Sequence, residues 1–303
     1  MHKVLILSKQ QPRYHQLLSV AALPGLRFTD VPDEAEIVLA DPPLAASALA
    51  DLPALCWMQS TFAGIDALMQ PGLRQDYQLT NIRDYFGPLI AEYVLGYTLD
   101  YTRHLSQYRR QQRRGQWHPL PYTSLAARTL VVLGTGSIGT HLAGVAKAMG
   151  MSVIGVNRSG RAEPTHFDRI YPLTQLTDAL ALADVLVSTL PATPQTDLLL
   201  NRDSLSHCRD TLVFNVGRGN SLCETGLLAA IEAGQVAHAF LDVFNLEPLA
   251  PQHPFWQHPQ ITITPHIAAE SFPEQVFETF RDNYLRYTQQ QPLRNLISFE
   301  HGY

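Results

Sequence analysis

Residues 129–150, TLVVLGTGSIGTHLAGVAKAMG, constrain the fold more than any other stretch. Five positions before the first glycine suit a buried strand. Gly134, Gly136 and Gly139 then space a tight turn, and the following apolar residues keep helical spacing until Gly150. A strand–turn–helix unit of this kind needs partners, and the chain supplies them. SVIGVN (152–157), DVLVST (184–189), TLVFNV (211–216), HAFLDV (238–243) and ITITP (261–265) follow at intervals that leave room for crossover helices. Such alternation implies a doubly wound parallel sheet.

An earlier α/β unit precedes it. KVLIL (3–7), AEIVLA (35–40) and ALCWMQ (54–59) read as buried strands of a parallel sheet, with a helix after Pro12 through Leu17, Leu18 and Val20. STFAGID, after the third of these strands, opens another helix. From Pro88 to Arg114 helical spacing continues unbroken, with Pro88 suited to a first turn and Gly115 to a stop. The segment PEQVFETFRDNYLRYTQQ is a last amphipathic helix, expected to pack back on the first domain. The expected fold is therefore α/β with two doubly wound parallel-sheet domains. A flavodoxin-like substrate (catalytic) domain, 1–97 plus 270–303, is interrupted by a Rossmann dinucleotide-binding domain, 98–269.

Composition narrows the function. The 303 residues are 46% apolar and only 16% charged, with a net charge of −5, which argues against a general nucleic-acid binder. Arg109, Arg110, Arg113 and Arg114 cluster without interleaved aromatics and read as the solvated end of a helix. Cys56, Cys208 and Cys223 form no CxxC, so neither a disulfide framework nor a thiolate metal site is expected. No apolar run is long enough to span a bilayer. A cytoplasmic protein with no membrane partner and no metal is the expectation.

G-x-G-x-x-G alone is weak, because glycines also cluster in ordinary turns. Between a strand and a helix it acquires a mechanism: tight turn, close approach of backbone to a pyrophosphate, and close helix–strand packing. The helix start at Ser137 and Ile138 then offers unpaired N–H groups to the anion. The first domain's opening strand is followed by SKQQPR, without glycine, so only the second domain can hold a dinucleotide this way. About 20 residues after the turn, VIGVNRSGR lacks the carboxylate that would bond a ribose 2′-hydroxyl. Asn157, Arg158 and Ser159, with Arg161 nearby, suit a 2′-phosphate, and NADPH is expected over NADH.

Three residues follow strand ends: Arg218 after LVFNVG, Glu247 after FLDVFNLE, and His266 after ITITP. Taken singly, each suits an ordinary surface role. Together they meet the needs of 2-oxo acid reduction. A guanidinium grips a carboxylate with two parallel hydrogen bonds. A histidine delivers a proton, and a neighbouring carboxylate holds its ring and favours its protonated form.

At this point the chain resembles the D-isomer-specific 2-hydroxyacid dehydrogenases, through STFAGID, VVLGTGSIG, STLPATPQT, NVGRG, LDVFNLEPL and TPHIAA in family order. QWHPLP, DVFNLEPL, WQHPQITITPHIAA and the terminal HGY are similar to its glyoxylate/hydroxypyruvate reductase branch. The resemblance implies that Arg218 binds substrate, that His266 is the acid/base, and that Glu247 is its partner. It implies cofactor contacts at Leu190, Pro191, Thr196, Val216, Gly217 and Ala268, with Asp242 meeting the nicotinamide carboxamide. It also implies that N–H groups of Ala63 and Gly64 hold a substrate carboxylate in a cleft between the domains. Many members carry a glycine pair after the histidine, where this chain has Ala268 and Ala269.

The expected activity is reduction of small 2-oxo acids, with glyoxylate and hydroxypyruvate foremost. A phosphoglycerate dehydrogenase-like NAD enzyme and a dinucleotide-sensing corepressor are the rivals. Trp117, between Gln116 and His118 and just past the long helix, either packs on its own subunit or, as the resemblance implies, reaches across a homodimer to wall the partner's substrate site.

Overall fold

The computed structural model describes residues 1–161 and 166–300; the terminal HGY lies outside the described residues. The chain divides into two compact units, Met1–Tyr85 with Ser271–Tyr303, and Phe86–Glu270.

In the first unit, β1 (His2–Leu7), β2 (Leu26–Phe28), β3 (Ile37–Ala40), β4 (Trp57–Ser60) and β5 (Gln78–Thr80) form a parallel sheet of order β2-β1-β3-β4-β5. This is the flavodoxin-like order. Every residue of β3 and β4 is buried, as a central strand covered on both faces requires. The C-terminal helix Pro273–Thr288 completes this unit. Its Phe280 stacks on Trp57 at 5.2 Å, and Asn283 Nδ2 donates to Gln59 Oε1 at 3.1 Å. Trp57 spends its indole N–H on Thr80 Oγ1 at 2.9 Å, so the buried aromatic leaves no orphaned donor.

The second unit holds β6 (Thr129–Leu133), β7 (Ser152–Asn157), β8 (Arg169–Pro172), β9 (Val185–Ser188), β10 (Thr211–Asn215), β11 (Val236–Leu241) and β12 (Ile261–Ile263), all paired in parallel. Their order, β12-β11-β10-β9-β6-β7-β8, reverses between β6 and β9. The loops after these two strands leave the sheet in opposite directions and open the crevice in which such sheets bind ligands.

Three expectations change. The helix expected over 88–114 is two helices, Phe86–Thr102 and Leu105–Arg113, because His104 takes a left-handed φ of 55° that interrupts the hydrogen-bond ladder. The boundary expected at 97 falls inside the first of these. That helix belongs wholly to the second unit, where Ile90, Val94 and Leu95 share one apolar core with Leu142, Ala143 and Ala146. Finally, STFAGID opens only a single 3₁₀ turn, Asp66–Leu68. Ser60 Oγ donates to the carbonyl of Phe62 at 2.8 Å, and this local bond competes with helical continuation.

Candidate active site

The glycine turn lies at the switch point. A side chain at Gly139 would place its Cβ 2.0 Å from the carbonyl oxygen of Gly134, so helix Ser137–Ala148 can sit this close to β6 only without one. Gly134 takes φ +100° and would meet Thr189 Oγ1 at 2.7 Å, which ties the turn to the loop after β9. Gly136 differs, with nothing within 4 Å of its would-be Cβ. It caps the helix without a side-chain partner, and both it and Ser137 are exposed, with Ile138 half-buried behind them. Tight packing behind and open backbone in front are what a dinucleotide pyrophosphate needs, so the residues present fit that group.

Around the turn, Leu190 and Pro191 continue the loop after β9. Thr196, expected as a cofactor contact, is buried, and its hydroxyl donates to the Pro191 carbonyl at 2.7 Å, holding the loop's shape. Gly217, after Val216, would meet Leu190 N and O at 2.6 and 2.5 Å, so the loops after β9 and β10 touch through bare backbone.

At the end of β7 the side chains divide their work. Asn157 Nδ2 donates to Thr135 Oγ1 at 2.8 Å and to the Arg161 carbonyl at 2.7 Å. Its Oδ1 accepts from Ser159 N at 3.1 Å and Gly160 N at 2.7 Å. The expectation that Asn157 offers a spare donor to a phosphate is therefore corrected: one amide hydrogen closes its own turn and the other ties it to Thr135 in the glycine turn. Ser159 Oγ also turns inward, toward Asn157 Oδ1 at 3.4 Å. Arg158 is exposed and makes no hydrogen bond or ion pair with the described residues, and Arg161 beside it is exposed too.

Arg218, Glu247 and His266 follow β10, β11 and β12, three adjacent strands, at their carboxyl ends. Arg218 is half-buried and flanked by two glycines that permit close packing. Gly217 lies against Leu190, and Gly219 would meet the Phe244 carbonyl carbon at 2.0 Å. Asn215, fully buried, donates from Nδ2 to the Arg218 carbonyl at 3.0 Å. Sequence reasoning missed this asparagine; a polar residue closing an otherwise apolar strand was its signal. Glu247 Oε1 accepts from Phe244 N at 2.9 Å, and its Oε2 meets His266 Nδ1 at 2.8 Å. The pair is half-exposed, 51% for the histidine and 35% for the glutamate, so the ring is oriented yet open to a small molecule. A carboxylate only accepts, so Nδ1 carries a proton and Nε2 is the nitrogen left for chemistry.

Asp242 is 2% exposed. It was expected to meet a nicotinamide carboxamide, yet its carboxylate already accepts from Ile267 N at 2.9 Å, Ala268 N at 3.0 Å and Thr264 Oγ1 at 2.6 Å. It thus holds the segment bearing His266. In the first unit, Asn81 Nδ2 fixes the Ala63 carbonyl at 2.8 Å, and no described residue accepts from the N–H of Ala63 or Gly64. Trp117 is 100% exposed, so among the described residues it does not pack on its own subunit. The chain beyond it is anchored, Leu120 N donating to Tyr108 Oη at 2.8 Å. Among the described residues no His, Cys, Asp and Glu cluster could hold a metal, and no helix is long and apolar enough to cross a membrane.

Comparison with known proteins agrees with this geometry. Residues 95–268 match the model of the D-isomer specific 2-hydroxyacid dehydrogenase NAD-binding domain. A glyoxylate/hydroxypyruvate reductase A from Serratia proteamaculans is 34% identical over 252 residues, 80% of this chain and 79% of that one. A crystal structure of a D-isomer specific 2-hydroxyacid dehydrogenase family protein from Aeromonas salmonicida superposes with a TM-score of 0.94 at 45% identity, covering 98% of this chain and 99% of its own. An NADPH-dependent glyoxylate/hydroxypyruvate reductase from Sinorhizobium meliloti, solved with NADP and sulfate, gives 0.88 at 26% identity, with 100% of both chains covered. A family model matched over more than half of the chain, and a relative aligned over four-fifths of it, converge on one assignment: the chain belongs to the D-isomer-specific 2-hydroxyacid dehydrogenase family and is an NAD(P)-dependent oxidoreductase.

Proposed function

We propose that the chain reduces small 2-oxo acids to 2-hydroxy acids, with glyoxylate and hydroxypyruvate as substrates and NADPH preferred to NADH. The observation that carries this reading is the His266 Nδ1–Glu247 Oε2 bond of 2.8 Å beside Arg218 at one sheet edge. The glycine turn, with the loops through Leu190 and Gly217, would hold the dinucleotide. When bound, its reduced nicotinamide supplies hydride to the substrate's carbonyl carbon. Arg218 binds the substrate carboxylate through its planar pair of donors. Glu247 keeps the Nδ1 proton in place, and His266 Nε2 gives its proton to the carbonyl oxygen, which becomes the hydroxyl. In the reverse direction Nε2 takes that proton back.

The cofactor preference rests on the end of β7. Among the described residues no carboxylate closes β7 to repel a 2′-phosphate, and Arg158 makes no hydrogen bond or ion pair with any of them. The Sinorhizobium relative, described as NADPH-dependent, supports the same choice. The reading extends to a twofold homodimer in the cytoplasm. Trp117 is fully exposed, and Tyr101, Leu105 and Tyr108 on the two preceding helices are exposed too, apolar groups suited to a second copy, with Trp117 walling that copy's substrate site.

Initial rates of NADPH and NADH oxidation across a panel of 2-oxo acids test the proposal. Glyoxylate and hydroxypyruvate should give the highest kcat/KM, with NADPH ahead, and Arg158→Ala should weaken NADPH far more than NADH. Equal or better efficiency with NADH would overturn the cofactor preference. Dinucleotide binding without turnover of any 2-oxo acid would favour the corepressor-like rival.

A further inference from the structure

His266 sits in an unusual backbone state. Its φ is +55°, a left-handed conformation uncommon for a residue with a Cβ. The donors of residues 264–268 show what holds it. Thr264 N donates to the Leu241 carbonyl at 3.0 Å, and His266 N donates to the Asp242 carbonyl at 2.9 Å. Pro265 has no N–H. Ile267 N and Ala268 N donate to the Asp242 carboxylate, and so does the Thr264 hydroxyl. Every donor on both sides of the histidine is therefore spent on Leu241 or Asp242, at the end of β11.

The chain of bonds has one more member. Tyr93, on helix Phe86–Thr102, places its hydroxyl 2.7 Å from Thr264 Oγ1. The direction of each bond follows from proton counting. Asp242 Oδ1 can only accept, and Thr264 has one hydroxyl hydrogen, which the 2.6 Å contact commits to Asp242. The phenol must then donate to Thr264. Burial, with the charge of Asp242 behind it, pushes the Tyr93 phenol above its ordinary range, so it keeps the proton it donates.

We propose that Tyr93 and Thr264 are positioning residues for His266, acting through a one-way chain that runs inward from the half-buried Tyr93 Oη to Thr264 Oγ1 and the buried Asp242 Oδ1. The chain polarises toward the carboxylate and fixes the segment that presents the imidazole to Glu247 and to substrate. Neither side chain touches the reacting atoms. This inference rests on the reductase reading for its kinetic consequence and on geometry alone for its structural one.

The test uses the full-length chain with Thr264→Val, Thr264→Ser and Tyr93→Phe. Valine keeps the shape and removes the hydroxyl, leaving the phenol without its acceptor and Asp242 short of a donor. A hydrogen bond to a buried charged group translates into roughly a tenfold effect. Thr264→Val should lower kcat about tenfold, with KM for the 2-oxo acid and NADPH affinity within about twofold of wild type. Thr264→Ser should restore kcat, and Tyr93→Phe should lower it in the same sense by a smaller factor. Full kcat in Thr264→Val, failure of serine to restore it, or an equal loss of NADPH affinity would each overturn the proposal. A second readout needs no turnover. The imidazole resonances of His266, assigned by their disappearance in His266→Gln, should move in Thr264→Val and Tyr93→Phe and return in Thr264→Ser. Unmoved resonances would refute the positioning role. A wild-type chain inactive toward every 2-oxo acid would instead refute the reductase reading, while the resonances still decide this one.

Discussion

Gly136 and Gly139 stand three residues apart in one turn, and alanine at each asks a different question. At Gly136, φ is −74° and ψ −166°, open to any residue, and the added methyl meets nothing within 4 Å. Alanine is a poorer N-cap than glycine by about 0.5–1 kcal/mol. It also reduces the freedom of the unfolded chain, which returns about 0.4–1 kcal/mol. The two nearly cancel, and Tm should move by no more than about 2 °C. The methyl occupies the space through which a pyrophosphate approaches the helix N-terminus. Displacing one charge-assisted hydrogen bond at about 1.5–3 kcal/mol weakens binding by roughly tenfold to 150-fold. Gly139→Ala reverses the pattern. Its Cβ would lie 2.0 Å from Gly134 O, where real contacts begin near 3.0 Å, so helix and turn must part by 1.0 Å, the difference between the two. Overpacking of this kind costs about 1–3 kcal/mol or more, and Tm should fall by several degrees even without cofactor. Thermal unfolding of the cofactor-free protein, paired with fluorescence titration by NADPH, separates the two effects. Wild-type NADPH affinity in Gly136→Ala would refute the assignment of this turn as the pyrophosphate cradle.

His266→Ala should cut kcat by about 10²–10⁴ with NADPH affinity retained, and stopped-flow hydride transfer with glyoxylate measures it directly. Arg218→Lys should lower kcat/KM at least about tenfold, since an ammonium has no planar fork; near-wild-type efficiency would argue against carboxylate recognition there. Trp117→Ala should raise KM for small 2-oxo acids and relax discrimination against bulky ones, and a fully active wild-type monomer in analytical ultracentrifugation would remove the cross-subunit wall. Burial, reinforced by His258, pushes His238 down to about 4, so the folded chain refuses a proton that the unfolded chain accepts from about 6.5 downward. Its contribution to stability is present above pH 6.5 and lost as pH falls toward 4. Discounted for its partial exposure, this amounts to about 1–2 kcal/mol. His238→Gln should flatten urea-unfolding stability between pH 6.5 and 4.5, and an unchanged slope would show that other groups govern acid unfolding.

The sequence by itself determined the central strands, the dinucleotide turn and the three residues at the sheet edge, because each is specified locally. β3, β4, β9 and β10 are buried at every position, so their apolar runs could be read without knowing their neighbours. The glycines of the turn are dictated by backbone geometry within ten residues of chain. Tertiary structure decided the rest. The strands Leu26–Phe28, Gln78–Thr80 and Arg169–Pro172 lie at sheet edges, where partial exposure and short length leave no apolar run to detect. The break at His104 follows no proline or glycine, so periodicity carried straight through it. Asn157 looked like a donor for a ligand until Thr135 and Arg161 were seen to use both of its hydrogens. Asp242 and Thr264 lie 22 residues apart, and Tyr93 and Thr264 lie 171 apart. A hydrogen bond is settled by a few tenths of an ångström between atoms that only the folded sheet brings together, and linear spacing holds no record of that distance.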